Sequence, residues 1–303
     1  MSRRAPADRS PVGMAEAFAA ACLWGSSGVF AVHLFRLGVP PETVALVRPL
    51  IGAAILVVGF LLARPALLRL PARALLVVGV GGGAAVGVFQ VAYQMSVDAS
   101  GVPTTVALLY LAPALVAAAA GPLLGEWPSP RQIALIAVTL VGVWLTILGA
   151  QPVEPTFAAA NLGWGVLAGV AYAAYTLFGR YATPRFGSVP TVVYSTLGAC
   201  ALLSVVLPAS TGGMVLPSSG RAWLLLAVFG ALTIAGAQFL FFDALGRVEA
   251  STASVVTAAE PIAAALLSTL LLDQGLSPLG WVGIAFVVAG VAGVGLTAAP
   301  RGS

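Results

Sequence analysis

Charged residues are scarce in this sequence. Lys and Arg together number 14 and Asp and Glu 10 in 303 residues, which is 8%, whereas globular proteins average about 25%. So few charges cannot cover a water-facing surface, which excludes a soluble globular protein, and a disordered chain needs still more charge. The basic residues are also too few for a nucleic-acid-binding face, so we expect no nucleic-acid partner.

Three residue types that carry chemistry are absent or rare: lysine is missing, histidine occurs once as His33, and cysteine occurs only as Cys22 and Cys200. Without lysine there is no G-x-x-x-x-G-K-[ST] loop, which excludes an ATP-driven pump. Both cysteines lie in apolar runs away from any C-x-x-C spacing, so neither a disulfide framework nor a zinc site is predicted. His33 lies near the outer end of an apolar run and is interpreted as packed or interfacial. We therefore expect no enzyme activity, no metal and no cofactor.

Apolar residues dominate instead. They make up 60% of the chain and form ten runs long enough to cross a bilayer, which takes about 20 helical residues. The runs lie near residues 14–35, 41–63, 74–97, 101–122, 131–150, 160–183, 188–208, 222–246, 250–272 and 276–298. Because the linkers are short, no soluble domain fits between them. The sequence predicts an all-α integral membrane protein with ten transmembrane helices in the lipid bilayer.

Arginine is distributed unevenly between the two membrane sides. The N-terminal segment, every second connection and the C-terminal segment hold eleven arginines in all, whereas the alternate connections hold only Arg36 and Arg221. By the positive-inside rule, both termini are predicted to be cytoplasmic. Abundant Ala and Gly without Lys are typical of a GC-rich bacterial genome, so we expect a multi-pass protein of a bacterial inner (plasma) membrane.

The two halves of the chain repeat each other. A gapless shift of 148 residues aligns Gln90 with Gln238 and brings many other distinctive residues into register. Five helices fit into each half, residues 14–150 and 160–298, and because five is odd the second half enters the membrane from the opposite side. Such inverted repeats are typical of secondary transporters, which bind substrate near the midplane between the halves.

Five short motifs carry a family resemblance: Trp24-Gly25-Ser26, Leu111-Ala112-Pro113, Leu124-Gly125-Glu126, Glu260-Pro261-Ile262-Ala263-Ala264 and Leu271-Leu272-Asp273. With them the chain resembles the drug/metabolite transporter superfamily, specifically its ten-helix EamA-type members, over residues 14–298. The resemblance implies export or exchange of small metabolites, and amino-acid exporters of the YddG type belong to this group. This sequence has Ala112 where that subgroup has an aromatic residue before the proline.

Glu260 is the acidic residue nearest the middle of an apolar run. A charge at the centre of a membrane helix costs about 3 kcal/mol on insertion scales, and such residues usually face a cavity or a partner. Pro261 follows it and leaves a carbonyl one turn earlier without its usual donor. Two interpretations are open: Glu260 is a protonatable coupling group in the transport cavity, or it is a protonated carboxyl that stabilises the proline kink.

Further polar and aromatic residues occupy matching positions in the two repeats and are predicted to line a substrate cavity. Amides inside a membrane need hydrogen-bond partners or a cavity, and aromatic walls with a few hydroxyls suit an amphipathic metabolite. The predicted substrate-binding residues are Trp24, Ser26, Ser27, Gln90, Tyr93, Tyr110, Tyr172, Tyr175, Gln238 and Glu260, with Pro113 and Pro261 as hinges.

Two further features have more than one interpretation. Arg48 lies several residues inside the second run, where it either extends to the outer surface or pairs with a carboxylate, of Glu260 or of the substrate. Gly79, Gly83 and Gly87 recur every four residues in the third run. This spacing predicts close approach of another helix rather than nucleotide binding, since no strand precedes it.

Taken together, these patterns predict a secondary-active transporter that exports or exchanges small metabolites, amino acids above all, by alternating access around a central cavity. A passive facilitator or channel, or an intramembrane enzyme, is the alternative. The expected partners are a small-molecule substrate and the lipid bilayer, and the expected assembly is a monomer or a weak homodimer.

Overall fold

The computed structural model describes residues 10–149, 159–272 and 277–298, and within these ranges every regular element is a helix. Four arginines used in the topology prediction and one motif residue lie outside the described residues: Arg3, Arg4, Arg9, Arg301 and Asp273. The described helices give nine membrane-length apolar spans and a tenth, shorter apolar stretch, Pro278–Val294. The predicted ten-helix membrane fold is therefore confirmed.

The ten spans are numbered in chain order. Spans 1 to 9 are Pro11–Arg36, Pro41–Ala63, Ala72–Val102, Thr104–Leu124, Pro130–Leu148, Leu162–Phe186, Ser188–Thr211, Gly220–Arg247 and Ala250–Leu267. Span 10 begins at Pro278. The individual helices are Pro11–Trp24, Ser27–Arg36, Pro41–Ala63, Pro65–Leu68 (3-10), Ala72–Leu76, Val77–Gly82 (π), Gly83–Leu109, Ala112–Leu124, Pro130–Leu148, Ala159–Phe186, Ser188–Thr211, Gly220–Gly230, Ala231–Gln238 (π), Phe239–Arg247, Ala250–Val256, Thr257–Ala259 (3-10), Glu260–Leu272 and Pro278–Ala298.

Spans 4 and 9 are interrupted at corresponding places. In span 4 a turn at Tyr110 and Leu111 precedes Pro113, and in span 9 a 3-10 turn at Thr257–Ala259 precedes Pro261. A proline lacks the amide hydrogen that would bond four residues back, and its ring crowds that carbonyl. Both repeats therefore have a backbone interruption near mid-membrane in their fourth span. The break at Gly25 in span 1 has no such counterpart, because the equivalent span 6 is one continuous helix, Ala159–Phe186.

Equivalent pairs of helices form the contact between the two repeats. Span 3 of the first repeat makes extensive contacts with span 6 of the second, and span 8 of the second repeat contacts span 1 of the first in the equivalent way. Because the third helix of each repeat packs on the first helix of the other, the centre of the molecule is built from both halves. The pseudo-symmetry axis passes through this shared interior.

The glycine stripe of span 3 lies against span 7. A Cβ atom added at Gly83 would come within 2.8 Å of the backbone of Gly198, and one at Gly87 within 3.6 Å of Ala199. Small residues at such crossings let two backbones approach closely, which adds van der Waals contact where lipid provides no hydrophobic driving force. The packing interpretation of this stripe is confirmed.

We expect Gly83→Val to destabilise the protein by about 1–3 kcal/mol, the usual cost of overpacking, because its side chain would push span 7 away. Gly59→Val is the matched control, since a Cβ atom at Gly59 of span 2 meets nothing within 4 Å. Thermal unfolding in detergent measures both variants. Equal unfolding temperatures for the two would contradict the close packing of spans 3 and 7.

Candidate functional site

A cavity lies between the two repeats near the middle of the spans. Its walls come from spans 1 to 4 of the first repeat and from spans 6, 8 and 9 of the second. The lining residues are Trp24, Ser27, Arg48, Phe89, Gln90, Tyr93, Leu109, Tyr172, Tyr175, Ile234, Gln238 and Glu260.

Eight of the ten predicted substrate-binding residues line this cavity, and their role in binding stays a prediction. The two exceptions are Ser26 and Tyr110. The Ser26 hydroxyl donates to the Leu23 carbonyl at 2.7 Å, within its own helix turn. Tyr110 is fully buried behind Glu260 rather than in the wall. Sequence reasoning missed Phe89, Leu109 and Ile234, because an apolar residue on an apolar helix gives no sign of which way it faces.

Aromatic rings form much of the wall. Trp24 and its repeat counterpart Tyr172 meet edge to face with centroids 6.1 Å apart, and the Trp24 indole nitrogen donates to the Thr233 carbonyl at 3.0 Å. Phe89 stacks on Tyr175 at 5.8 Å. Because these rings contact one another, the cavity is narrow in this conformation, and its apolar side is rigid.

Glu260 belongs to a polar cluster that joins spans 4 and 9. Its carboxyl is 6% exposed, and the Tyr110 hydroxyl lies 3.0 Å from its Oε2 atom. The same hydroxyl lies 2.8 Å from the Thr257 carbonyl, which loses the amide of Pro261 as a donor but accepts a 3-10 hydrogen bond from the Glu260 amide. Thus Tyr110 of the first repeat contacts both the backbone turn and the carboxyl of span 9.

The proton count of this cluster constrains Glu260. A tyrosine hydroxyl has one proton to donate, and a backbone carbonyl only accepts. Both contacts of Tyr110 are therefore full hydrogen bonds at the same time only when Glu260 carries a proton and donates it to the Tyr110 oxygen. The coupling and kink-stabilising interpretations of Glu260 both stay predictions, since the carboxyl lines the cavity and also contacts Tyr110 beside the span 9 turn.

The two glutamines make the same kind of contact with different partners. Gln90 accepts a hydrogen bond from the Arg48 guanidinium, and Gln238 donates to the Thr196 hydroxyl at 2.9 Å. Each pair is separated by 42 residues in the chain, and the shift of 148 residues aligns Arg48 with Thr196. An arginine in the first repeat and a threonine in the second therefore fill one structural role.

Arg48 does not extend to the membrane surface, so that interpretation is wrong. It is 4% exposed, and its guanidinium carbon lies 4.5 Å from the centroid of the Phe229 ring. Nor does it pair with Glu260, since among the described residues the ion pairs involve other side chains. Span 2 turns this residue inward because Thr43 and Val44 on the same helix also pack against the second repeat.

Polar contacts join the two repeats on the side of the arginine-rich connections. Glu126, just after span 4, pairs with Arg180 of span 6 at 2.5 Å and accepts from the Ala250 amide of span 9 at 3.0 Å. Glu16 of span 1 pairs with Arg247 of span 8 at 3.1 Å. We call these two pairs the arginine-side network, because the described arginine-rich connections lie on the same side.

Known proteins resemble this chain along nearly its whole length. The profile of the EamA-like transporter family matches residues 11–148 and 161–296. The uncharacterized inner membrane transporter YicL of Salmonella typhimurium is 27% identical over 92% of this chain and 93% of its own. The uncharacterized transporter YwfM of Bacillus subtilis is 31% identical over 57% of each chain. One solved crystal structure superposes with a TM-score of 0.77 at 23% identity, covering 94% of this chain and 97% of the other, which shows the fold alone.

We expect Tyr110→Phe to destabilise the protein by about 1–3 kcal/mol, because it removes the hydroxyl that contacts the buried Glu260 carboxyl and the Thr257 carbonyl. Tyr181→Phe is the control, since Tyr181 is 39% exposed. Thermal unfolding in detergent measures both variants. Equal unfolding temperatures for the two would show that the Tyr110 hydroxyl does not stabilise the contact between spans 4 and 9.

Proposed function

The chain belongs to the EamA-like transporter family, and we propose that it is a secondary-active transporter that exports or exchanges small metabolites, amino acids above all. The observation that carries this proposal is the cavity near mid-membrane, with aromatic walls, two amides, one carboxyl and one guanidinium drawn from both repeats. Polar groups are costly in the membrane interior, and they are typically retained there for ion or substrate pathways.

Alternating access is the proposed mechanism. Two inverted five-helix repeats can rock about a shared site, which opens it first to one side and then to the other. The arginine-side network supports a conformation closed on that side, since its ion pairs join different repeats. The paired interruptions before Pro113 and Pro261 give spans 4 and 9 places at which their two halves can move separately.

Glu260 is the proposed coupling group. Among the described residues no cation lies at salt-bridge distance from Glu260. A mid-membrane carboxyl in this position needs a neutralising partner, which a proton or a positively charged substrate group can supply. Its carboxyl contacts Tyr110, which lies at the span 4 interruption. Protonation or deprotonation of Glu260 therefore changes a hydrogen bond between the two repeats. Proton binding is thereby linked to conformation.

The proposed location is a bacterial inner membrane, with both termini in the cytoplasm. The arginine-side network then faces the cytoplasm, and an exporter would load its substrate after this network opens. The asymmetry of arginine between the two sides of the chain supports this orientation.

The coupling proposal predicts that Glu260→Gln loses the response of transport to a pH gradient, because the amide cannot exchange a proton. Counterflow, which needs no net driving force, should continue at a measurable rate. Reconstituted proteoliposomes loaded with amino acids measure both quantities with and without an imposed gradient.

Glu42→Gln is the control, because Glu42 lies in the first turn of span 2 and does not line the cavity. It should behave like the unmodified protein. A pH response in Glu260→Gln equal to that of Glu42→Gln would end the coupling proposal, and a flux that never saturates with substrate would favour a channel instead.

The gating proposal predicts that Glu126→Gln opens the cavity to the arginine-rich side. The reporter is Ser27→Cys, a cavity position, in a chain whose Cys22 and Cys200 are replaced. A membrane-impermeant maleimide added from that side should label the reporter roughly tenfold faster, because each 1.4 kcal/mol of lost pairing shifts the conformational ratio about tenfold.

Arg185→Gln provides the matched control for this experiment. Arg185 has the same charge as Arg180 and lies near it in span 6, but its guanidinium contacts only Tyr181 of the same helix. Labelling should not change in this variant. Equal labelling rates for Glu126→Gln and Arg185→Gln would mean that the arginine-side network does not close the cavity.

A further inference from the structure

Arg48 carries a positive charge that the described protein does not neutralise. Its side chain is 4% exposed, and no carboxylate of the described residues lies within 4.0 Å of it. Its contacts are a neutral amide, Gln90, and the face of the Phe229 ring. A buried charge with only these partners costs free energy that an anion would recover.

The guanidinium also has an unused donor. The Nε atom of Arg48 is buried and has no hydrogen-bond partner, and buried donors without partners are rare in native proteins. Because Arg48 lines the cavity, a ligand in the cavity is in reach of this donor. The planar guanidinium matches a carboxylate, which accepts two parallel hydrogen bonds from it.

The internal repeat shows that the contact with Gln90 does not require an arginine. In the second repeat the equivalent glutamine, Gln238, bonds to the neutral hydroxyl of Thr196, which aligns with Arg48. A threonine therefore satisfies this helix crossing at no cost of a buried charge. The contact with Gln90 therefore does not require the charge of Arg48, and a bound anion would neutralise that charge.

We propose that Arg48, held by Gln90, binds the carboxylate of the transported molecule, so that this site accepts carboxylates and rejects the corresponding amides and amines. This inference rests on the proposed transport function and names its substrate class. Glu260 lies in the same cavity without pairing to Arg48, so the site presents two separated charges of opposite sign when Glu260 is ionised. That arrangement fits a zwitterion, a free amino acid, whose apolar side chain meets the aromatic wall.

The first experiment needs no variant. Counterflow into proteoliposomes is measured for the standard amino acids, and leucine, if carried, is compared with leucinamide, 3-methylbutylamine and 4-methylpentanoate. For any other amino acid that is carried, the matching amide, amine and deaminated acid are used. The expected result is transport of the amino acid and, where one charge suffices, of the deaminated acid, with the amide and the amine at least about tenfold weaker.

The second experiment replaces the arginine with the solution found in the other repeat. Arg48→Thr keeps a hydroxyl for Gln90 but removes the charge, Arg48→Lys keeps the charge but removes the planar fork, and Arg36→Gln removes an exposed arginine from the same membrane side. We expect the KM of the carried amino acid to rise about 10- to 100-fold in Arg48→Thr and less in Arg48→Lys. Arg36→Gln should leave it unchanged.

The outcomes separate the inference from the transport proposal. Carriage of the amide or amine as well as the amino acid overturns the carboxylate inference and leaves the transport function standing. So does an Arg48→Thr protein with unchanged KM. If purified, folded protein carries none of the amino acids or their analogues, the proposed function itself is contradicted and the inference falls with it. An Arg48→Thr protein that fails to fold does not rescue the inference, because the comparison of compounds in the unmodified protein still decides it.

Discussion

The fold depends on one constraint: inside the membrane no water is present to satisfy a backbone or side-chain polar group. The Thr257 carbonyl loses the amide of Pro261 as a donor, and it accepts instead from the Glu260 amide in a 3-10 turn and from the Tyr110 hydroxyl at 2.8 Å. Because Tyr110 belongs to the other repeat, a local backbone interruption becomes a bond between the two halves. The same hydroxyl contacts Glu260, so the backbone, the interface and the cavity share one cluster.

The sequence predicts the scaffold well because a membrane leaves few choices. Long apolar runs must form helices, and two repeats of five spans each must have opposite orientations in the membrane. Polar residues such as Gln90 and Gln238 must have a hydrogen-bond partner or line a cavity. Eight predicted cavity residues therefore meet in space. What the sequence does not reveal is helix rotation. Whether Arg48 faces lipid headgroups or the interior depends on how span 2 turns against spans 3 and 8, which is set by contacts between residues distant in the chain.

The sequence does not predict which apolar residues line the cavity or which charged residues pair, for a related reason. Phe89 and Ile234 lie on helices that are apolar on every face. The spacing of apolar residues therefore does not distinguish a position that faces the cavity from one that packs in the core. The pairing of Glu126 with Arg180 spans 54 residues and two repeats, and no local pattern connects them. Sequence identifies which residues need partners, whereas packing of the repeats decides which partners they receive.

The two repeats differ at the charged residues of the cavity. The shift of 148 residues aligns Arg48 with Thr196 and Glu260 with Ala112, so each repeat supplies one cavity charge and a neutral residue at the position of the other. In a fully symmetric cavity every charged residue would occur twice, once in each repeat. Such a cavity would bind both ends of a ligand alike. Repeated backbones provide matched halves that can exchange conformations, while unmatched side chains give the cavity a direction. Under the proposed function, such a site would bind a dipolar substrate in one orientation and keep that orientation as the halves move around it.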